Sequence, residues 1–161
     1  MKTPNDHEFI DSEGLHYDFI VDTDEEVYLD VSVSHNNFLG IAFVGEAKCL
    51  FRSQNTLELA DIVIRDSAII FRKSLWKLTP HSILLKFVNR DFRRRGIGSA
   101  LLQFVISQAR NSGIRMISAR AISRDTPFEI LLPWYAKQGF DIPALPYESL
   151  ADGVWITMLL D

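Results

Sequence analysis

Short clusters of alternating or contiguous apolar residues fill the first part of the chain, and polar turn sequences separate them. The predicted strands cover residues 15–21, 27–34, 38–45 and 56–65, with DTDEE and HNN among the intervening turns. In the last of these strands the alternation slips near Ala60 and Asp61, which indicates a bulge. Short strands joined by turns are typical of an antiparallel meander.

A strand–helix–strand pattern follows. The apolar run SILLKFV (residues 82–88) predicts a buried strand. From Ile97 to Ala109 apolar residues recur at helical spacing, and residues 111–113 (NSG) form a helix stop. Residues 114–122 predict the next strand. Because such a unit usually places its two strands side by side and parallel, we expect strands 82–88 and 114–122 to be parallel neighbours.

The remaining segments predict two more helices and a last strand. Residues 67–80 carry apolar positions at helical spacing and predict a short helix. In TPFE (residues 126–129), Thr126 can cap a helix and Glu129 can complete a capping box, and the helix should end at Gly139. Residues 153–160 predict a final strand, whose exposed edge makes a homodimer a candidate assembly.

These elements predict an α/β (α+β) fold, in which helices flank a mixed, mostly antiparallel central sheet with one parallel strand pair. Residues 1–161 contain no internal repeat or linker-like segment, so we expect a single domain.

Composition narrows the function classes. Hydrophobic residues make up 47% of the chain and charged residues 24%, as in soluble globular proteins. Because no apolar run approaches the roughly 18 residues of a membrane helix, we expect no membrane association. The single cysteine, Cys49, predicts a buried thiol and a cytoplasmic location. A net charge of −4 argues against nucleic-acid binding, and the scattered histidines predict no metal site.

Arginines and glycines crowd the point where the first strong helix begins, in RDFRRRGIGSALLQFV (residues 90–105). A helix start leaves about four N–H groups without acceptors and carries partial positive charge. Gly96 and Gly98 allow the main chain to approach a ligand closely, and Arg93, Arg94 and Arg95 add charge. This pattern predicts a phosphate site rather than a solvated basic patch. It lacks the Gly-Lys-Ser/Thr of a P-loop and the third glycine of a dinucleotide fingerprint.

Two motifs in this region are similar to those of a known family. The sequence Arg93-x-x-Gly96-x-Gly98 resembles the acyl-coenzyme A pyrophosphate loop of the GCN5-related N-acetyltransferase (GNAT) superfamily. WYAKQGF (residues 134–140) resembles the family's Tyr-x-Lys-x-Gly-Phe signature. The resemblance covers residues 82–140 and implies a GNAT-like sheet whose parallel strands splay at the acyl-CoA cleft. Arg94 stands where the family often has glycine, which makes the loop stiffer and adds a candidate contact to the 3′-phosphate.

The resemblance implies direct transfer of an acetyl group from acetyl-CoA to a small-molecule or peptide amine, in a ternary complex and without a metal. The implied cofactor-binding residues lie at the end of strand 82–88 and around the helix start: Phe87, Val88, Arg93, Arg94, Arg95, Gly96, Ile97, Gly98 and Ser99. An N–H group near Val88 would polarise the thioester carbonyl, and the loop amides would hold the pyrophosphate.

The resemblance also points to Tyr135 as the acid that protonates the leaving thiolate, since a phenol of pKa about 10 is protonated at neutral pH. Glu58, Asp61 and His81 are candidate bases for the attacking amine, and binding of the free amine is the alternative. Two other functions stay open: a non-catalytic acyl-CoA-binding module, and an aminoacyl-tRNA-acetylating toxin.

Overall fold

A mixed β-sheet with two helices makes up the part of the chain that the computed structural model describes, namely residues 7–24, 27–37, 40–71, 86–88, 91–124, 126–144 and 153–161. The strands are β1 (Glu8–Ile10), β2 (His16–Asp24), β3 (Tyr28–Asn37), β4 (Gly40–Ser53), β5 (Thr56–Phe71), β6 (Lys86–Val88), β7 (Met116–Ala121) and β8 (Val154–Leu159). The helices are α1 (Ile97–Asn111) and α2 (Phe128–Lys137).

The strand order is β1-β2-β3-β4-β5-β7-β8, and β6 pairs with β5 outside this path. The pairs β1–β2, β5–β6 and β7–β8 are antiparallel, whereas β5 and β7 are parallel. The predicted fold class, a mostly antiparallel mixed sheet with a parallel pair and flanking helices, is confirmed. β8 ends the strand order, as predicted for an edge strand, and an isolated bridge joins its Thr157 to Asp141.

The identity of the parallel pair differs from our expectation. Strand β7 pairs in parallel with the first part of β5, from Thr56–Met116 to Leu59–Ala119. Strand β6 instead pairs antiparallel with the far end of β5, with Val88 opposite Ala68. The prediction that strand 82–88 is the parallel neighbour of 114–122 is therefore wrong, because β5 continues past residue 65 and takes the end of that strand as its own hairpin partner.

The continuation of β5 also corrects the predicted helix over residues 67–80. Residues 67–71 belong to β5, and residues 72–80 lie outside the described chain. Ile69 and Ile70 are β-branched and favour a strand, and pairing with β6 supplies this segment with interstrand hydrogen bonds. The predicted helix is therefore wrong for residues 67–71, which belong to a 16-residue strand.

The helix boundaries follow the glycine signals, although one cap differs. Helix α1 ends at Asn111 and α2 at Lys137, and the glycines that follow, Gly113 and Gly139, have left-handed φ values of 74° and 100°. The predicted capping box at Thr126 is wrong. Pro127 holds the N-cap position with ψ 150°, and no side chain caps it. Its carbonyl accepts hydrogen bonds from the N–H groups of Ile130 and Leu131, so Thr126 lies one residue outside the cap.

Internal contacts divide the chain into two compact units. The first unit comprises Met1–Asp22, Asp30–Ala47 and Ile62–Leu101, and its fully buried large side chains include Tyr17, Val31, Phe92, Ile97 and Leu101. The second unit comprises Thr23–Leu29, Lys48–Asp61 and Leu102–Asp161, and its fully buried large side chains are Leu57, Leu102, Ile106, Ile117, Leu132 and Ile156. The single-domain organisation stays a prediction.

Cys49 is buried, as its apolar surroundings in the sequence predicted. Neither described helix is both long and apolar enough to cross a membrane.

Candidate functional site

The loop before α1 has an unusual backbone in the first unit. Arg94 and Gly96 both lie in the left-handed region, with φ values of 61° and 81°. Only glycine enters that region without cost, so the conformation of Arg94 is unfavourable by about 1 kcal/mol. Asp91 holds the start of the loop, because its Oδ1 accepts a hydrogen bond of 2.9 Å from the N–H of Arg93. Left-handed residues that alternate with ordinary ones turn their main-chain N–H groups toward a shared concave surface. Such a surface suits the binding of an anion.

Helix α1 adds its own N-terminal N–H groups to this surface. Its first hydrogen bond runs from the N–H of Ala100 to the carbonyl of Gly96, at 2.9 Å. The N–H groups of Ile97 and Gly98 come before this first donor and so have no acceptor within the helix, and the first turn contains no acidic residue. The partial positive charge of the helix start is therefore not opposed by a carboxylate in its own first turn.

The three consecutive arginines have different surroundings. Arg93 is 54% exposed and lies near two carboxylates, with its Nε 3.2 Å from Asp91 Oδ1 and its Nη2 3.8 Å from Asp66 Oδ2. Arg94 is exposed, and the described part of the chain forms no ion pair with it. Arg93, Asp91, Asp66 and Ser67 line an open depression of about 430 Å³ beside the loop.

Arg95 faces the N-terminal hairpin instead of solvent. Only 16% of its side chain is exposed, and its Nη1 lies 3.3 Å from Asp11 Oδ2 and 2.6 Å from Glu13 Oε2. Its Nε donates a hydrogen bond of 3.0 Å to the carbonyl of Asp91. The guanidinium of Arg95 is thus bound by groups of the protein itself. Arg95 can therefore bind a ligand only through its main-chain N–H group.

Asp11 is the buried carboxylate of this group. Burial alone would raise the pKa of Asp11, but hydrogen bonds from the Leu15 N–H, the Tyr17 hydroxyl, the Glu13 N–H and Arg95 together lower that pKa below its ordinary value. Asp11 therefore remains ionised at neutral pH. Asp11, Glu13 and Tyr17 are not among the site residues that the sequence predicted. Their only signal was the polar turn DSEG after an apolar residue, and such turns are common.

In the second unit the parallel strands separate soon after they pair. The β5–β7 register ends at Leu59 and Ala119, although both strands continue. The next two residues of β5, Ala60 and Asp61, are both exposed, so the predicted slip in alternation coincides with the point where pairing stops. Between Leu59 and the pairing with β6 at Ala68, the main-chain groups of β5 have no partner on β7 and can accept an extended ligand. Phe87 and Val88 lie elsewhere, on β6.

Tyr135 lies on α2 in the second unit, with only 6% of the residue exposed. Its ring packs edge-to-face against Trp134 and Phe140, with centroid distances of 4.7 and 5.3 Å. Burial and the negative charge of Asp61 raise the pKa of Tyr135 to about 12. The structure thus places Asp61 within electrostatic reach of Tyr135.

The other two candidate bases differ from Asp61. Glu58 makes a two-point ion pair with Arg52, with Nε–Oε2 and Nη2–Oε1 distances of 2.6 and 3.0 Å, and this pairing lowers the pKa of Glu58. A carboxylate held in this way is a weaker proton acceptor. His81 lies outside the described residues. No cluster of three or more metal-ligating side chains occurs in the described ranges.

Comparison with known proteins gives a family. Residues 43–142 match the family model for the acetyltransferase (GNAT) domain. No curated protein sequence matches significantly.

Solved structures show the same fold at low sequence identity. A GNAT family acetyltransferase from Elizabethkingia anophelis with acetyl-CoA bound is 17% identical, with a TM-score of 0.52 over 83% of this chain and 77% of its own. Ard1 from Thermoplasma volcanium is 17% identical, with a TM-score of 0.51 over 80% and 70% of the two chains. At such identities these structures support the fold alone. The family model, which spans well over half of the residues, identifies this chain as a member of the GNAT acetyltransferase family.

Proposed function

We propose that this protein is an N-acetyltransferase that transfers an acetyl group from acetyl-CoA to a primary amine. The observation that carries the proposal is the anion-receptive loop in front of α1, in which two left-handed residues, Arg94 and Gly96, precede helix N–H groups that come before the first intrahelical hydrogen bond. The acceptor is a small-molecule or peptide amine, and attack takes place directly within a ternary complex.

The main-chain N–H groups of residues 94–99 bind the pyrophosphate of coenzyme A, since the N–H of Arg93 donates to Asp91 Oδ1. Because hydrogen bonds from N–H groups to a charged oxygen are stronger than those between neutral groups, several of them replace the water lost on binding. Arg94 is exposed and forms no ion pair among the described residues, so its side chain is the one we assign to the 3′-phosphate. Arg95 contributes its N–H group, since its guanidinium is held by Asp11 and Glu13.

The pantetheine arm lies along β5 rather than along β6. Phe87 and Val88 lie on β6, which is antiparallel to β5, whereas β5 is the strand that runs parallel to β7. The main-chain groups of β5 beyond Leu59 have no partner on β7, so they can hydrogen bond the amides of the arm. A main-chain N–H group in this stretch stabilises the negative charge that develops on the thioester oxygen.

Tyr135 donates its proton to the leaving thiolate. With a pKa raised to about 12, Tyr135 is protonated at every physiological pH. Burial beside Tyr135 also disfavours the charged thiolate of coenzyme A and so raises the pKa of its thiol. The difference between the two pKa values is therefore smaller than in water, which favours proton transfer from the phenol to the thiolate.

Asp61 is the base that we assign to the attacking amine. It is exposed, and it lies two residues beyond the last parallel pair of β5 and β7. Its charge also holds Tyr135 in the protonated form. One carboxylate thus receives the proton of the amine while the phenol keeps its own until the thiolate leaves.

The test measures free thiol released from acetyl-CoA with a panel of primary amines, together with mass analysis of the amine. We expect release of thiol that depends on the amine, and an acetylated product. Binding of coenzyme A without thiol release for any amine would favour a non-catalytic binding module. Acetylation of aminoacyl-tRNA alone would favour the toxin, and absence of coenzyme A binding would overturn the proposal.

A further inference from the structure

The N-terminal hairpin of β1 and β2 contacts the loop that we assign to acyl-CoA. We propose that this hairpin, through the buried carboxylate of Asp11, positions the loop for coenzyme A, so that Asp11 and Arg95 are positioning residues for the reaction. This inference rests on the proposed function. It concerns residues that never touch the cofactor with their side chains.

Asp11 is at the centre of the contact. Its side chain is fully buried, and four donors surround it. Within the hairpin, the N–H groups of Glu13 and Leu15 lie 2.8 and 3.0 Å from Oδ1, and the hydroxyl of Tyr17 lies 2.8 Å from Oδ2. The fourth donor is Nη1 of Arg95, 3.3 Å from Oδ2. The first three donors fix the carboxylate in the hairpin, so the fourth contact fixes the loop to it.

Arg95 connects the hairpin to the rest of the loop. While Nη1 contacts Asp11 and Glu13, Nε donates to the carbonyl of Asp91 at 3.0 Å. The planar guanidinium therefore links the hairpin to the residue at which the loop begins. A lysine could supply the charge, but it has no second donor in a fixed direction.

Aromatic contacts support the same geometry from the apolar side. The rings of Tyr17 and Phe92 meet edge-to-face at a centroid distance of 6.4 Å, and Phe92 is almost fully buried. Phe9 lies against the glycine of the loop, since a Cβ built on Gly96 would be 3.7 Å from its Cζ. The hairpin thus touches the loop at Phe92, Arg95 and Gly96.

The loop needs such support because its backbone conformation is unfavourable without contacts from the rest of the protein. A non-glycine residue in the left-handed region, as at Arg94, persists when its surroundings determine it. If the hairpin holds this shape before coenzyme A arrives, the ligand does not bear the entropy loss of ordering the loop. Loss of the hairpin contact should therefore weaken coenzyme A binding and leave the chemical step unchanged.

The test compares Asp11→Asn with Glu13→Gln in the full chain. Both changes remove one carboxylate beside Arg95, but Asp11 is buried and Glu13 is 52% exposed. We expect Asp11→Asn to raise the Kd of coenzyme A at least tenfold, to keep kcat at saturation within twofold, and to speed amide hydrogen exchange at residues 92–96. We expect Glu13→Gln to change the Kd less than threefold.

Arg95→Lys serves where Asp11→Asn does not fold, because it keeps the charge and loses the fixed Nε–H. We expect the Kd of coenzyme A to rise three- to tenfold and amide hydrogen exchange at residues 92–96 to become faster. A lower Tm with wild-type Kd and wild-type loop exchange in either variant would overturn the inference and leave the hairpin a stabilising element only. Failure of the wild-type protein to bind coenzyme A would overturn the proposed function, and that result is obtained before any variant is made.

Discussion

At the scale of single residues, the arginine triplet has three separate uses. Among the described residues, two of the three guanidinium groups form ion pairs: Arg93 with Asp91 and Asp66, and Arg95 with Asp11 and Glu13. Only the side chain of Arg94 is left for a ligand among the described contacts. A chain of net charge −4 can therefore contain three adjacent arginines without presenting three free positive charges at its surface.

Tyr135 gives the sharpest prediction at this scale. Replacing Tyr135 with Phe keeps the ring against Trp134 and Phe140 and removes only the hydroxyl. Because a positioned acid contributes about 10²- to 10⁴-fold, we expect kcat to fall about 100-fold or more while the KM for acetyl-CoA stays within threefold. Steady-state kinetics of thiol release measure both constants.

The pH profile of the same reaction provides a control for the role of Tyr135. Since the pKa of Tyr135 is raised to about 12, its ionisation should cause no fall in wild-type kcat up to about pH 10. An unchanged kcat in Tyr135→Phe would show that this hydroxyl is not the proton donor.

At the scale of elements, the helices could be predicted from local signals and the strand pairing could not. Helix α1 has regular apolar spacing and a glycine stop, and both signals involve residues close in sequence. Both β5 and β6 are apolar stretches that could have become the parallel neighbour of β7. No local pattern in the sequence shows which of the two strands does so. Asp11 and Arg95 are likewise 84 positions apart, and only the fold brings them together.

Gly45 shows how a local signal can mislead. A glycine after an apolar run predicts the end of a strand, yet β4 continues through Gly45 to Ser53. The reason is a close approach of the neighbouring backbone: a Cβ at Gly45 would lie 2.5 Å from the carbonyl oxygen of Val63. The glycine is needed inside the strand for space rather than for a turn.

The loop before α1 can be tested as an element with two matched glycines. Gly96 and Gly113 both have left-handed φ values, of 81° and 74°, and neither has a protein atom closer than 3.7 Å to an added Cβ. Changing either residue to Ala should lower the free energy of unfolding by a similar amount, about 1 kcal/mol. Only Gly96→Ala should weaken coenzyme A binding, by tenfold or more, because it disturbs the left-handed turn that directs the loop N–H groups to the pyrophosphate.

Calorimetric titration with coenzyme A and urea unfolding of both variants provide these numbers. Equal affinities in Gly96→Ala and Gly113→Ala, at equal cost in stability, would argue that the pyrophosphate does not bind at this loop.

At the scale of the whole molecule, the fold class could be predicted because it depends on the sum of many elements. An error in one strand, such as residues 67–71, leaves a mixed sheet with flanking helices unchanged. The candidate site is more sensitive, since it depends on which residues face each other. The loop could be predicted because its residues are contiguous, whereas the path that we propose for the pantetheine depends on the observed pairing of β5 with β7.

The raised pKa of Tyr135 also predicts how the stability of the molecule depends on pH. In the unfolded chain the phenol ionises at about pH 10, whereas in the folded protein it does so only at about pH 12. The folded state therefore binds the proton more tightly, and the resulting stabilisation is fully present below about pH 10 and is lost as the pH rises from there to about 12.

Lysines titrate in the same range, so the useful quantity is the difference between the wild-type protein and Tyr135→Phe. We expect that difference in free energy of unfolding, measured with urea at intervals from pH 8 to 11, to shift steadily in favour of the Phe variant above pH 10. A difference that stays constant over this range would mean that Tyr135 ionises equally easily in both states, and that burial does not keep its proton in place.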